Sequence, residues 1–132
     1  MKILIVDDSS TMRRVLEMGI MKVLKEQNPT ILHAEHGKRG LELVQQNLDI
    51  DYVFLDVNMP IMKGDEMLKL MRQDVVTKDI KVIMQTTEGV REKVAEITRM
   101  GISGYLLKPY TVEVIETLMS KIMEREKERV KA

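Results

Sequence analysis

The sequence has no cysteine, no tryptophan and only one phenylalanine and three prolines among 132 residues. Without cysteine there is no disulfide framework and no thiol chemistry, and the chain suits a reducing compartment. It also lacks net charge. Lys and Arg number 21 and Asp and Glu number 21, so no basic footprint points to nucleic acid. Long apolar runs are missing too: none approaches the roughly 18 residues of a membrane span. A strand-like run begins at Lys2, where a cleaved leader would show a long apolar segment, so a cytoplasmic protein is expected. The glycines at 37, 40, 64, 89, 101 and 104 match no phosphate-binding fingerprint and read as turn and cap residues.

What is present suffices for one domain. A chain of this size buries about two thirds of its unfolded surface and needs no metal to fold. Twelve methionines are many, and most are expected in the core. Five short β-type runs stand out: Lys2–Val6, Ile31–Glu35, Tyr52–Asp56, Lys81–Thr86 and Gly104–Lys108. Three are almost continuously apolar, as in a sheet covered on both faces. Helix-period segments separate them. The first carries Met12, Val15, Leu16, Gly19, Ile20, Val23 and Leu24 on one stripe, with Ser9 or Ser10 as its cap and Gly19 allowing close approach to the sheet. Others run over about 38–47, 65–72 and 90–100, and the last starts near Thr111, which reads as its N-cap. The alternation predicts a single α/β domain of (βα)5 type. Its flavodoxin-like parallel sheet would have order 2-1-3-4-5, with helices on both faces. After Met123 the apolar stripe stops, so 1–123 is read as the domain and 124–132 as a charged helical extension.

The polar residues at the strand exits carry the chemistry. The first strand ends in Asp7-Asp8, the third in Asp56, the fourth in Thr86 and the fifth in Lys108 before Pro109. In an open α/β sheet, ligands bind at the carboxyl ends of the strands. The proposed order puts strand three between strands one and four, so Asp7, Asp8, Asp56 and Thr86 converge. Lys108 reaches them on its flexible stem. Three carboxylates facing one ammonium call for a divalent cation, and Mg²⁺ suits a site with few protein ligands and retained waters. The same set suits phosphoryl transfer to a carboxylate. Asp56, being central, is the candidate nucleophile, with Asp7 and Asp8 at the metal and Lys108 and Thr86 on the phosphoryl oxygens. His33 and His36 have a loose metal-like spacing, but a solvated or structural role is expected of both.

The stretches IVDDSSTMRR (5–14), LDVNMPIMKG (55–64), TTEG (86–89) and GYLLKPY (104–110) together resemble a response-regulator receiver domain of the chemotaxis type, from Lys2 to about Ile122. The resemblance implies that Asp56 accepts a phosphoryl group from a histidine kinase. It implies a Mg²⁺ site of Asp7, Asp8, Asp56 and the backbone carbonyl of Asn58. Thr86 and Tyr105 correspond to a switch pair that would alter the surface of the fourth helix, fifth strand and fifth helix. Asn58 and Glu88 correspond to residues flanking the attacking water in dephosphorylation. Thr87 stands where a smaller residue is frequent and would narrow access, and Tyr110 stands where Phe is common. The output would be contact with a protein target, such as a flagellar motor switch, by a monomer that is a switch and not an enzyme.

Alternatives are a phosphorelay intermediate, a receiver belonging to a larger transcriptional regulator, and a Mg²⁺-dependent phosphatase with an aspartyl-phosphate intermediate. Haloacid-dehalogenase-type phosphatases carry D-x-D at the first strand, whereas this strand ends in adjacent Asp residues. A flavodoxin-like electron carrier needs a hydroxyl-rich phosphate loop and aromatic residues that the chain lacks.

Overall fold

A computed structural model describes residues 1–87 and 91–131. Glu88, assigned above to dephosphorylation, lies outside the described residues, as does Gly89. The elements alternate as expected: β1 (Lys2–Val6), α1 (Ser10–Leu24), β2 (Thr30–Ala34), α2 (Gly37–Gln46), β3 (Tyr52–Asp56), α3 (Gly64–Gln73), β4 (Lys81–Thr86), α4 (Arg91–Arg99), β5 (Gly104–Leu107) and α5 (Val112–Lys131). The sheet is parallel, in the order β2-β1-β3-β4-β5. Two strands differ from expectation. β2 is shifted one residue toward the N-terminus, and β5 stops at Leu107, leaving Lys108 in the connection that follows.

The pleat sorts the apolar runs onto two faces. Leu4, Val6, Val53, Leu55, Val82 and Met84 pack with Val44 of α2, Met67, Leu68 and Met71 of α3, and Ile97 of α4. Ile3, Ile5, Tyr52, Phe54 and Ile83 pack with Leu16, Ile20 and Leu24 of α1 and Ile115, Met119 and Ile122 of α5. β3 is buried along its whole length, which fixes it as the central strand. The Ser9 side chain accepts from the Met12 amide to cap α1, and the Thr111 hydroxyl oxygen accepts from Val114 N to cap α5.

Gly19 acts differently from the expectation. A Cβ there would sit 2.7 Å from Ile115 side-chain atoms, so the close approach it permits is of α1 to α5, not of α1 to the sheet. The helix of residues 112–131 continues without a break through the charged tail. Glu126 on that tail pairs with Lys81, whose ammonium stands 5.4 Å from the Tyr52 ring centroid. Arg72 of α3 donates to the carbonyls of Lys78, Ile80, Met100 and Gly101, tying the entry of β4 to the end of α4.

Candidate functional site

The carboxyl ends of β1, β3 and β4 and the exit of β5 meet at one edge of the sheet. Asp7 follows β1 and is fully buried, and its amide donates to Ala34 O of β2 at 3.0 Å. Its Oδ1 accepts from Ser9 N at 2.9 Å, and its carbonyl accepts from Arg13 at 2.5 Å. Asp56 ends β3 with only 3% exposure. Its Oδ1 accepts from Asn58 N at 3.3 Å, so the loop folds back on the carboxylate. Asp8 is exposed at the mouth.

The Lys108 Nζ lies 3.0 Å from Asp7 Oδ2 and 3.3 Å from Asp56 Oδ2, bridging the two buried carboxylates. The turn carrying it has a cis Lys108-Pro109 peptide and is held by Lys108 N donating to Thr86 O at 2.7 Å. Burial, and next the Asp7 charge, push the Asp56 carboxyl up to about 6, against the opposing pull of Lys108. Burial works against the Lys108 ammonium too. Its hydrogen bond to Asp7 and the Asp56 charge outweigh that, so its pKa lies above the ordinary lysine value.

One carboxylate oxygen each from Asp7, Asp8 and Asp56 falls within 4.8 Å of the others. Hard oxygen donors in that number, open to solvent on the Asp8 side, fit a Mg²⁺ ion that keeps part of its water shell. The sequence-predicted set of Asp7, Asp8, Asp56 and Lys108 is therefore together. Thr86 is fully buried at the adjacent strand end, and Asn58 and Thr87 are exposed beside it. Tyr105 lies opposite Met84 in the β4–β5 register. It lines a surface groove of about 360 Å³ with Leu106, Glu113, Val114, Leu118 and Lys121.

Several residues that build the site escaped the sequence reading. A Cβ on Gly64 would lie 1.9 Å from Asp56 O, and Gly64 N donates to Val57 O at 2.9 Å. The glycine is there because α3 begins directly against the backbone of Asp56. Ile61 holds φ at 70° while 74% exposed, at the centre of a three-residue turn closed by Met62 N donating to Pro60 O at 2.7 Å, a backbone rare for a β-branched side chain. Met59 is core, 8% exposed. His33 and His36 take the structural roles expected of them: His36 caps α2 by accepting from Arg39 N at 3.1 Å, and His33 pairs with Glu17 at 3.2 Å. Gln85 is fully buried on β4, directly across from Asp56 in the β3–β4 register.

The model of the response regulator receiver domain matches residues 3–120. The chain belongs to that family. As a receiver domain it is 39% identical over 125 residues to the chemotaxis protein CheY-3 of Vibrio cholerae, covering 95% of this chain and 93% of that protein. It is 37% identical over 123 residues to CheY1 of Helicobacter pylori, covering 93% and 97%. The solved structure of the Vibrio cholerae chemotaxis response regulator CheY4 superposes with a TM-score of 0.77 at 30% identity, covering 92% of this chain and 97% of that one. The receiver domain and its sheet order thus agree with the resemblance drawn from the motifs. No helix among the described residues is long and apolar enough to cross a membrane.

Proposed function

We propose that this receiver domain is a phosphorylation switch of a two-component pathway, with Asp56 as phosphoacceptor. The observation that carries the reading is the cluster of two buried carboxylates bridged by Lys108, with a third carboxylate at its mouth. Asp56 and Asp8 would hold Mg²⁺ directly, with Asp7 and the backbone carbonyl of Asn58 completing or orienting its shell. When bound, the ion neutralises charge on the phosphoryl oxygens. Asp56 in its ionised form attacks the phosphorus of a kinase phosphohistidine. The new O–P bond forms as the N–P bond breaks, and the imidazole leaves with the electron pair and takes up a proton from solvent.

Lys108 is poised for the product. Its ammonium bridges two carboxylates, and a phosphoryl group on Asp56 would offer it a stronger anionic partner. The Thr86 hydroxyl would then donate to a phosphoryl oxygen and Tyr105 would turn inward. A single new charged group would so bias a two-state element. The readout would be the face of α4, β5 and α5, where Tyr105 borders the 360 Å³ groove. A histidine kinase and a downstream protein are the implied partners, and the chemotaxis names of the relatives favour a chemotaxis output, for which a flagellar motor switch would be one target. Asn58 and Glu88 would set the lifetime of the phosphate, with Thr87 limiting access. Residues 1–123 would form the switch itself and 124–132 a charged extension of α5.

The test is Mg²⁺-dependent labelling with a small phosphodonor such as acetyl phosphate, wild type against Asp56→Asn. Labelling of wild type alone supports the reading; equal labelling of both removes it.

A further inference from the structure

Gln85 is an unusual residue for its place. It lies fully buried on the central part of the sheet edge, and among the described residues its Nε2 is one of two buried side-chain polar atoms without a hydrogen-bond partner. Exchanging the amide oxygen and nitrogen would only move the orphan to the other atom. A half-satisfied buried amide is costly where an apolar side chain would pack freely, so the position asks for a role. The satisfied half supplies one: the Tyr110 hydroxyl donates to Gln85 Oε1.

That bond joins the two arms of the site. Through its backbone, Gln85 accepts from Val57 N at 2.9 Å, gripping the chain one residue past Asp56. Through its side chain it holds Tyr110, two residues past Lys108. The alternation along the strands puts Asp56 and Gln85 on the same face, beside Phe54 and Ile83, where Tyr110 also packs. Pro109 has no amide to donate, so the turn bearing Lys108 is tied to β4 by the backbone bond to Thr86 on one side and by Tyr110 on the other. Burial raises the Tyr110 pKa, and the charges of Asp7 and Asp56 add to that rise.

We infer that Gln85 and Tyr110 are positioning residues of the phosphoacceptor site: their buried hydrogen bond fixes the Lys108 turn so that the ammonium stands between Asp7 and Asp56. Neither residue touches the reacting atoms. Both act through Lys108, and the inference rests on the phosphoacceptor reading of Asp56.

The test uses the full chain. Acetyl phosphate labelling rates at fixed Mg²⁺ are compared for wild type, Tyr110→Phe, Gln85→Leu and the double variant. Losing one buried hydrogen bond should slow labelling about five-fold in each single variant. The double variant should fall no further, because both changes cut the same link. In a Lys108→Ala background, Tyr110→Phe should then have no effect on the rate, whereas a general packing defect would still slow it. A crystal structure of Tyr110→Phe gives a readout independent of the reaction. Lys108 Nζ should leave the positions 3.0 Å from Asp7 and 3.3 Å from Asp56. Wild-type rates in both single variants, equal slowing with and without Lys108, or an unmoved ammonium in that structure would each overturn the inference. Absence of labelling in wild type would instead refute the phosphoacceptor reading and leave the crystallographic arm to judge the link.

Discussion

Replacing Asp56 by Asn should make the metal-free protein more stable near neutral pH. The wild-type carboxyl is raised from 3.8 to about 6 because it is buried and faces Asp7. The folded state therefore keeps this proton to a higher pH than the unfolded chain does. Below the unfolded value the group is neutral in both states and contributes nothing. As pH rises from about 4 to about 6, the folded state binds more protons than the unfolded one, so stability falls. A shift of about two units at roughly 1.4 kcal/mol each puts the total loss at about 3 kcal/mol. Asn carries no charge and escapes this loss. The pull of Lys108 is already contained in the value of about 6, and Lys108 keeps its bond to Asp7 at 3.0 Å when the charge at position 56 is removed. The net gain near neutral pH is about 3 kcal/mol, shrinking to nothing in acid, where the wild-type carboxyl is neutral in both states. Urea unfolding in chelator, followed over a pH series with m held common, measures it. An Asp56→Asn variant no more stable than wild type at neutral pH, or one that keeps the acid-side slope, would refute the reasoning.

Mg²⁺ should restore stability to wild type, by about 2.7 kcal/mol at a hundred-fold excess over its dissociation constant, and Asp8→Ala should lose most of that gain in thermal melts. Gly64→Ala should destabilise by about 3 kcal/mol or more, since its Cβ would meet Asp56 O at 1.9 Å; unfolding midpoints equal to wild type would contradict the packing described. Ile61→Gly should stabilise by about 1 kcal/mol, because Gly adopts φ 70° without a Cβ penalty and the exposed side chain gives up little burial; a lower urea midpoint would count against the strain.

Asp7, Asp8, Asp56 and Lys108 were legible in the sequence because each ends or follows an apolar run, and strand ends of one parallel sheet meet by topology alone. Thr111 and Ser9 were legible as caps because capping is local. Gln85 was not, because within KVIMQT it reads as one polar residue near a strand end; only the register with β3 sets it beside Asp56, and only tertiary contact gives it Tyr110. Gly19 and Gly64 were visible as glycines, but what a Cβ would strike is a neighbour distant in sequence for Gly19 and the fold of a tight loop for Gly64. Lys108 was read into the last strand because the apolar run leads straight into it, yet the strand ladder stops at Leu107.

The most direct test of the central claim is chemical mapping of the phosphoryl group. After treatment with acetyl phosphate and Mg²⁺, borohydride reduces an aspartyl phosphate to homoserine, which peptide mass spectrometry locates. The account predicts homoserine at position 56 alone, dependent on Mg²⁺. Homoserine at position 7 or 8, or none at 56 while the protein is labelled, would contradict it.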